Sequence, residues 1–145
     1  MPQENEEALL RLFAERTLGV LVTMKRDGRP QLSNVVFAFD PERRLIRVST
    51  TADRAKSRNL ARDPRASFHV SSTDGWAWAV AEGDAEVTPP AREPGDATVA
   101  ELVEVYRAIA GEHADWGEYR AAMVAERRQV VRLPVRHVYG QPPRS

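Results

Sequence analysis

Two hydroxyls, Ser49 and Thr50, end an apolar run, and three cations, Arg54, Lys56 and Arg58, follow within five positions of one another. Hydroxyl donors beside clustered cations form an anion site. The stretch from Arg54 to Leu60 reads as a short helix, and the free N–H groups and dipole of its first turn favour a phosphate. Arginine adds planar pairs of donors, and lysine adds a point charge. Lysine is otherwise scarce, with Lys25 and Lys56 the only two. Without a ligand the same run is a solvated basic helix face, and the run alone leaves both readings open. Other chemistry is thin. His69, His113 and His137 are too scattered for a metal site, and His69 on an apolar strand reads as structural. No Ser-His-Asp or paired-carboxylate arrangement stands out. The junction Glu112-His113-Ala114-Asp115-Trp116 reads as capping.

The elements that position these residues follow from hydrophobic pattern and punctuation. Residues 5–16 form an amphipathic helix with Leu9, Leu10 and Phe13 on one face and Glu6 and Glu7 in its first turn. A strand is predicted over 18–24, with Asp27-Gly28 turning into a return strand over 31–39. Asp40-Pro41-Glu42-Arg43 leads into a third strand over 45–49, giving a three-stranded meander. The cationic helix stops at Asp63-Pro64. A strand over 66–71 turns at Thr73-Asp74-Gly75 into a long strand over 76–88, interrupted by Gly83 as a bulge or barrel corner. Val99, Leu102, Val103, Tyr106, Ile109 and Ala110 repeat at helical spacing. Gly111 breaks that helix, and Asp115 caps another running to about Arg127. A last strand covers 129–133, with 135–139 as its extension, and the tail from Gln141 to Ser145 frays.

Six strands at hairpin spacing predict a mainly β (α+β) fold, a six-stranded antiparallel barrel with flanking helices in a single domain over 1–145. The strand–helix alternation and GxGxxG of a dinucleotide-binding sheet are missing. The formal net charge is +0, so bulk attraction to nucleic acid or anionic membrane is not expected, and any anion site is local. The absence of cysteine excludes disulfides, thiolate metal sites and a cysteine nucleophile. No run reaches a membrane span, and the acidic start carries no apolar signal core. The expected location is the cytoplasm.

The hairpin Asp27-Gly28-Arg29-Pro30-Gln31-Leu32-Ser33-Asn34, the helix Arg54-Ala55-Lys56-Ser57-Arg58-Asn59-Leu60 and the more weakly specific Asp74-Gly75-Trp76 carry a resemblance that covers about 17–140. The chain resembles the split β-barrel flavin and deazaflavin oxidoreductases, also described as pyridoxamine 5'-phosphate oxidase-like proteins. It is most similar to the actinobacterial branch that binds the deazaflavin coenzyme F(420). The resemblance implies an FMN-binding type of split barrel and a homodimer with two cofactor sites at the subunit interface. It implies that Ser49, Thr50, Arg54 and Lys56 hold the cofactor phosphate, with Asn59 as a further polar contact. It places Gln31 and Asn34 toward the tricyclic ring, and Trp76 and Trp78 on a strand reaching the neighbouring subunit's cofactor. Gln31 and Asn34 also read as ordinary exposed strand residues. Two tryptophans two positions apart face one side of a strand, and such a pair is more often core or interface than a cofactor wall.

FMN and the deazaflavin share a ring system and a phosphate, so the anion site alone does not separate them. The deazaflavin carries a longer acidic tail, for which Lys25, Arg26 and Arg29 on the first hairpin are candidates; the alternative is a solvated hairpin tip. No second basic site for a substrate phosphate is evident, which counts against a vitamin B6 oxidase. The expected function is an F(420)-dependent reductase passing a hydride to a small conjugated or heteroaromatic acceptor. The alternatives are an FMN-binding oxidoreductase and a non-catalytic cofactor carrier. No catalytic acid is assigned, since in such enzymes the cofactor carries the hydride chemistry.

Overall fold

The computed structural model describes residues 2–144, so the expectations for Met1 and Ser145 fall outside it. In chain order the elements are α1 (Pro2–Glu15), β1 (Leu18–Met24), β2 (Pro30–Val36), β3 (Ala38–Asp40), β4 (Leu45–Thr51), α2 (Ala55–Arg62) and β5 (Arg65–Ser71). Then follow β6 (Trp78–Asp84), β7 (Glu86–Val87), α3 (Ala97–Ala110), α4 (Trp116–Ala125), β8 (Arg128–Pro134) and β9 (His137–Gln141). The strands form two antiparallel sheets, a five-stranded one ordered β2-β1-β5-β6-β9 and a four-stranded one ordered β3-β4-β8-β7.

The six expected strands are therefore nine, and the cause is local. The return strand over 31–39 breaks at Phe37, whose side chain is fully buried and whose N–H donates to the Thr17 carbonyl at 2.9 Å. The chain there leaves one sheet and enters the other, so the expected meander does not form. The strand over 76–88 breaks in the same way at Ala85, whose N–H donates to the Pro64 carbonyl at 2.7 Å. Gly83 does not interrupt β6. It stays in register with Ala66, and a Cβ on it would lie 2.3 Å from the Pro134 carbonyl oxygen. Residues 137–141 are not an extension of β8 but a separate edge strand on β6. The first hairpin follows its sequence: Gly28 takes φ +86° and donates to the Lys25 carbonyl at 3.0 Å.

Phe13, Phe37 and Phe68 meet between the sheets, with the Phe37 and Phe68 centroids 4.7 Å apart. Each such ring contributes about 1.5–3 kcal/mol by leaving water. Helix α1 closes this core with Leu9, Leu12 and Phe13, while Leu10 is only half-buried. A second core lies on the other side of the four-stranded sheet, where Val99, Leu102 and Val105 of α3 and Met123 of α4 cover Ala38 and Val130. Strand β4 is thus covered on both faces, and the run Leu45-Ile46-Arg47-Val48 is buried throughout. Buried Arg47 donates to Glu104 at 2.9 Å and lies 3.6 Å from Glu101, which ties α3 to the sheet. Among the described residues no helix is long and apolar enough to cross a membrane.

Candidate functional site

Strand β4 delivers its hydroxyls to the start of α2. It pairs with β8 over its whole length, Ser49 opposite Val130, Thr50 opposite Gln129 and Thr51 opposite Arg128. This register brings Arg128 to the hydroxyls, and its Nη1 lies 3.5 Å from Ser49 Oγ. The chain turns after Thr51, where Arg54 N–H donates to the Thr51 carbonyl at 3.2 Å. Arg54 is the N-cap of α2, with extended backbone and no capping side chain, and no acidic residue stands in the first turn. Helices α3 and α4 instead have Asp96 and Asp115 accepting from Val99 N–H and Glu118 N–H. Ser57 Oγ donates to the Thr51 carbonyl at 3.0 Å and pins α2 to the strand end.

The electrostatics here are unbalanced. Arg54 and Lys56 have no carboxylate partner among the described residues, and Arg128 has only Glu126, at 3.0 Å. Burial, then repulsion from Arg54 and Arg128, holds the half-buried Lys56 ammonium below the ordinary lysine pKa. Thr50 Oγ1 is fully buried and has no hydrogen-bond partner. Converging cations are unfavourable without an anion. A phosphate in the cleft would meet Arg54, Lys56, Arg128 and the Ser49 hydroxyl, so the residues present fit the phosphate of a flavin or deazaflavin.

These groups form one side of a cleft of about 550 Å³. Asn34, Val35 and Val36 of β2 line it from the neighbouring sheet. It is also lined by Tyr106 and Ile109 of α3 and Tyr119 and Met123 of α4. The cleft thus combines cations and hydroxyls with an apolar, aromatic lining. Five of the expected residues, Asn34, Ser49, Thr50, Arg54 and Lys56, come together in it. Sequence reasoning missed Arg128, Tyr106, Tyr119 and Met123. Tyr106 reads only as a helix-face residue, and Arg128 reaches Ser49 through a strand pairing 79 positions long.

Gln31 and Asn59 lie on another flank of α2. Asn59 Nδ2 donates to Thr23 Oγ1 at 3.0 Å and to Gln31 Oε1 at 3.1 Å, and its Oδ1 accepts from Arg62 Nη2 at 3.2 Å. The amide fastens α2 to β1 and β2. Beside it opens a bowl of about 510 Å³ whose charged lining is Lys25, Arg26, Arg58 and Arg62, with no carboxylate. Arg58 and Arg62 reach the backbone carbonyls of Asp53 and Met24. Arg29 does not line this bowl.

The tryptophans do not share a strand face. Trp76 precedes β6 in a turn where its N–H donates to Asp74 Oδ1 at 3.0 Å, and it is 79% exposed. The turn residues Asp74 and Gly75 hold it out of the sheet. Trp78 opens β6, half-buried, between His69 and Tyr139 at centroid distances of 6.2 and 6.0 Å. Neither tryptophan lines the cleft of the single chain. Leu18, Leu32 and Val36 are also exposed, at 56%, 63% and 50%. Among the described residues no group of three His, Asp or Glu side chains is placed to hold a metal.

Comparison with known proteins identifies the family and the fold. The sequence profile of the pyridoxamine 5'-phosphate oxidase family matches residues 5–142. An F(420)H(2)-dependent biliverdin reductase of Mycobacterium tuberculosis is 31% identical over 131 residues, covering 90% of this chain and 84% of that one. Two solved structures share the fold. One is a conserved hypothetical protein of Mycobacterium tuberculosis, with TM-score 0.73, 24% identity and coverage of 94% of this chain and 84% of that chain. The other is an F(420) reductase, with TM-score 0.67, 23% identity and coverage of 89% and 94%. With a family profile spanning almost every residue and a relative this similar along most of both chains, the chain belongs to the pyridoxamine 5'-phosphate oxidase family.

Proposed function

We propose that this protein is a cytoplasmic reductase that uses the deazaflavin coenzyme F(420) to reduce a small conjugated organic acceptor, and that it works as a homodimer. The observation that carries this reading is the sorting of cations onto two flanks of one helix. Arg54, Lys56 and Arg128 converge on the cleft, and Lys25, Arg26, Arg58 and Arg62 surround the bowl. FMN offers one phosphate. The deazaflavin offers a phosphate and a tail of carboxylates, which accounts for both groups of charge in a chain of net charge +0. The similarity to an F(420)H(2)-dependent biliverdin reductase supports the same cofactor and an acceptor of conjugated type. The family profile also accommodates FMN, which is the alternative reading.

In this account Ser49, Thr50, Arg54, Lys56 and Arg128 hold the phosphate, and Lys25, Arg26, Arg58 and Arg62 hold the acidic tail. Asn34 faces the ring system. The reduced deazaflavin, when bound, supplies a hydride. The chain supplies orientation and a dry apolar wall. Asn59, together with Gln31, sets the angle of α2 and so the position of the cations. The outer face of the five-stranded sheet, with Leu18, Leu32, Val36 and Trp78, supplies the dimer interface. An apolar face of this kind is what an interface core requires.

A competitive titration of FMN against F(420) on one preparation tests the reading. F(420) should bind more tightly and lose affinity as salt is added. Stoichiometric FMN that F(420) cannot displace would establish the alternative.

A further inference from the structure

The junction of α3 and α4 carries four rings, Tyr106, His113, Trp116 and Tyr119, and all six ring pairs lie between 5.1 and 5.6 Å. The chain has only 3 tryptophans, 3 tyrosines and 4 phenylalanines, so this one junction takes a large share of them. None of the four rings is fully buried, and the barrel core is filled by Phe13, Phe37 and Phe68 instead. Closing two short helices does not require this much aromatic surface, since Ala and Leu would do it.

The cluster is braced by its neighbours. The Arg107 guanidinium lies 4.9 Å from the Trp116 ring centre, and Arg107 Nε donates to Glu112 at 2.5 Å. Tyr119 donates its hydroxyl to the Leu102 carbonyl at 3.0 Å, and His113 Nδ1 accepts from Asp115 N–H at 2.8 Å. The ring orientations are thus fixed by their surroundings, and two of the rings, Tyr106 and Tyr119, are presented to the cleft.

We infer that this braced cluster is the acceptor-binding wall of the cleft, with Tyr106 the specificity-determining residue, and that it selects flat, fused conjugated acceptors over compact ones. The inference rests on the reductase reading for the existence of a second reactant. A hydride acceptor must come within about 3–3.5 Å of its donor, so it shares the cleft with the cofactor. The cations and hydroxyls of β4, α2 and β8 hold the phosphate end. The same cleft offers Tyr106, Tyr119, Ile109 and Met123, which give a flat molecule ring contact in addition to apolar burial. A compact enone obtains only the burial.

The test uses the full chain and two probes, menadione as the flat bicyclic acceptor and 2-cyclohexenone as the compact one. Tryptophan emission of the cofactor-free protein reports binding directly, because Trp116 lies 5.6 Å from Tyr106. Menadione should quench it saturably after inner-filter correction, and 2-cyclohexenone should not. With reduced F(420), Tyr106→Leu should raise the KM for menadione about three- to tenfold, and the KM for 2-cyclohexenone by a smaller factor. Tyr106→Phe should restore the parent value. Affinity for oxidised F(420) should stay within about twofold of the parent in both variants. Equal losses for the two acceptors, no saturable quenching in the parent, or a parallel loss of F(420) affinity in Tyr106→Leu overturns the inference. The last outcome would assign the wall to the cofactor. The quenching arm needs no variant and no cofactor, so it remains readable if Tyr106→Leu does not fold or if the cofactor is FMN.

Discussion

Lys56→Ala separates the two consequences of a cation held without a counterion. In the free protein Lys56 is half-buried near Arg54 and Arg128 and has no carboxylate partner among the described residues, and its pKa is lowered by burial first and those two cations next. Removing the ammonium relieves that repulsion, so the cofactor-free variant should melt at the parent temperature or above it. Binding should change in the opposite direction. A hydrogen bond to a charged group contributes about 1.5–3 kcal/mol, which is roughly ten- to a hundredfold in affinity. Arg54, Arg128, Ser49 and Thr50 remain, so the loss is partial. Arg54→Ala should cost a similar amount. Arg58→Ala, which faces the bowl, should leave affinity for FMN or inorganic phosphate within about twofold. Calorimetric titration and thermal melts on the same samples read both effects. Because the folded pKa of Lys56 lies below the ordinary lysine value, the unfolded chain binds more protons between the two values. Stability of the free protein should therefore rise with pH through that window, and the rise should vanish in Lys56→Ala. A variant that binds phosphate like the parent while melting lower would refute the reasoning, because Lys56 would then be a structural residue of a solvated helix face.

Other outcomes follow from the same geometry. Asp63 is lowered to about 2 by its side-chain and backbone hydrogen bonds with Arg65, so its contribution is present above 3.8 and lost as pH falls toward about 2; acid-unfolding curves of Asp63→Asn should lose that segment of the slope. Gly83→Ala forces a Cβ to 2.3 Å from the Pro134 carbonyl oxygen and should destabilise by about 1–3 kcal/mol, read by urea denaturation. Leu32, 63% exposed on the outer face of the five-stranded sheet, should become disruptive as Leu32→Glu, giving a monomer by light scattering where the parent is a dimer. A monomeric parent at micromolar concentration would remove the shared-interface account.

What the sequence made legible was local. The Asp27-Gly28 turn, the stop at Asp63-Pro64, the Asp115 cap and the run of hydroxyls before the cationic helix all depend on neighbours a few residues away, and all lie where the patterns indicate. The strand count did not, because Phe37 is an apolar residue inside an apolar run, and the second break falls at Ala85, between Asp84 and Glu86, two residues after the glycine that the pattern marks. Trp76 and Trp78 satisfy strand alternation, but the turn begun at Asp74 extends through Trp76 and the strand starts two residues later. Of the candidate site, the β4 and α2 residues could be read from spacing. Arg128 and the tyrosine wall could not, since the β4–β8 register and the docking of α3 and α4 bring them to the cleft from far along the chain. Asn59 has a position facing β1 and β2 that sequence spacing shares with cofactor contacts, and its hydrogen bonds to Thr23 and Gln31 identify it as a fastener.

The central claim is that one helix separates a phosphate site from a site for an acidic tail. Lys25→Glu combined with Arg26→Glu tests it most directly, because both residues are exposed at the hairpin tip and line only the bowl. Calorimetric titration of this double variant and the parent with F(420) and with FMN is the measurement. The account predicts that F(420) affinity falls at least about tenfold while FMN affinity stays within about twofold. Equal effects on the two cofactors, or none on F(420), would contradict it.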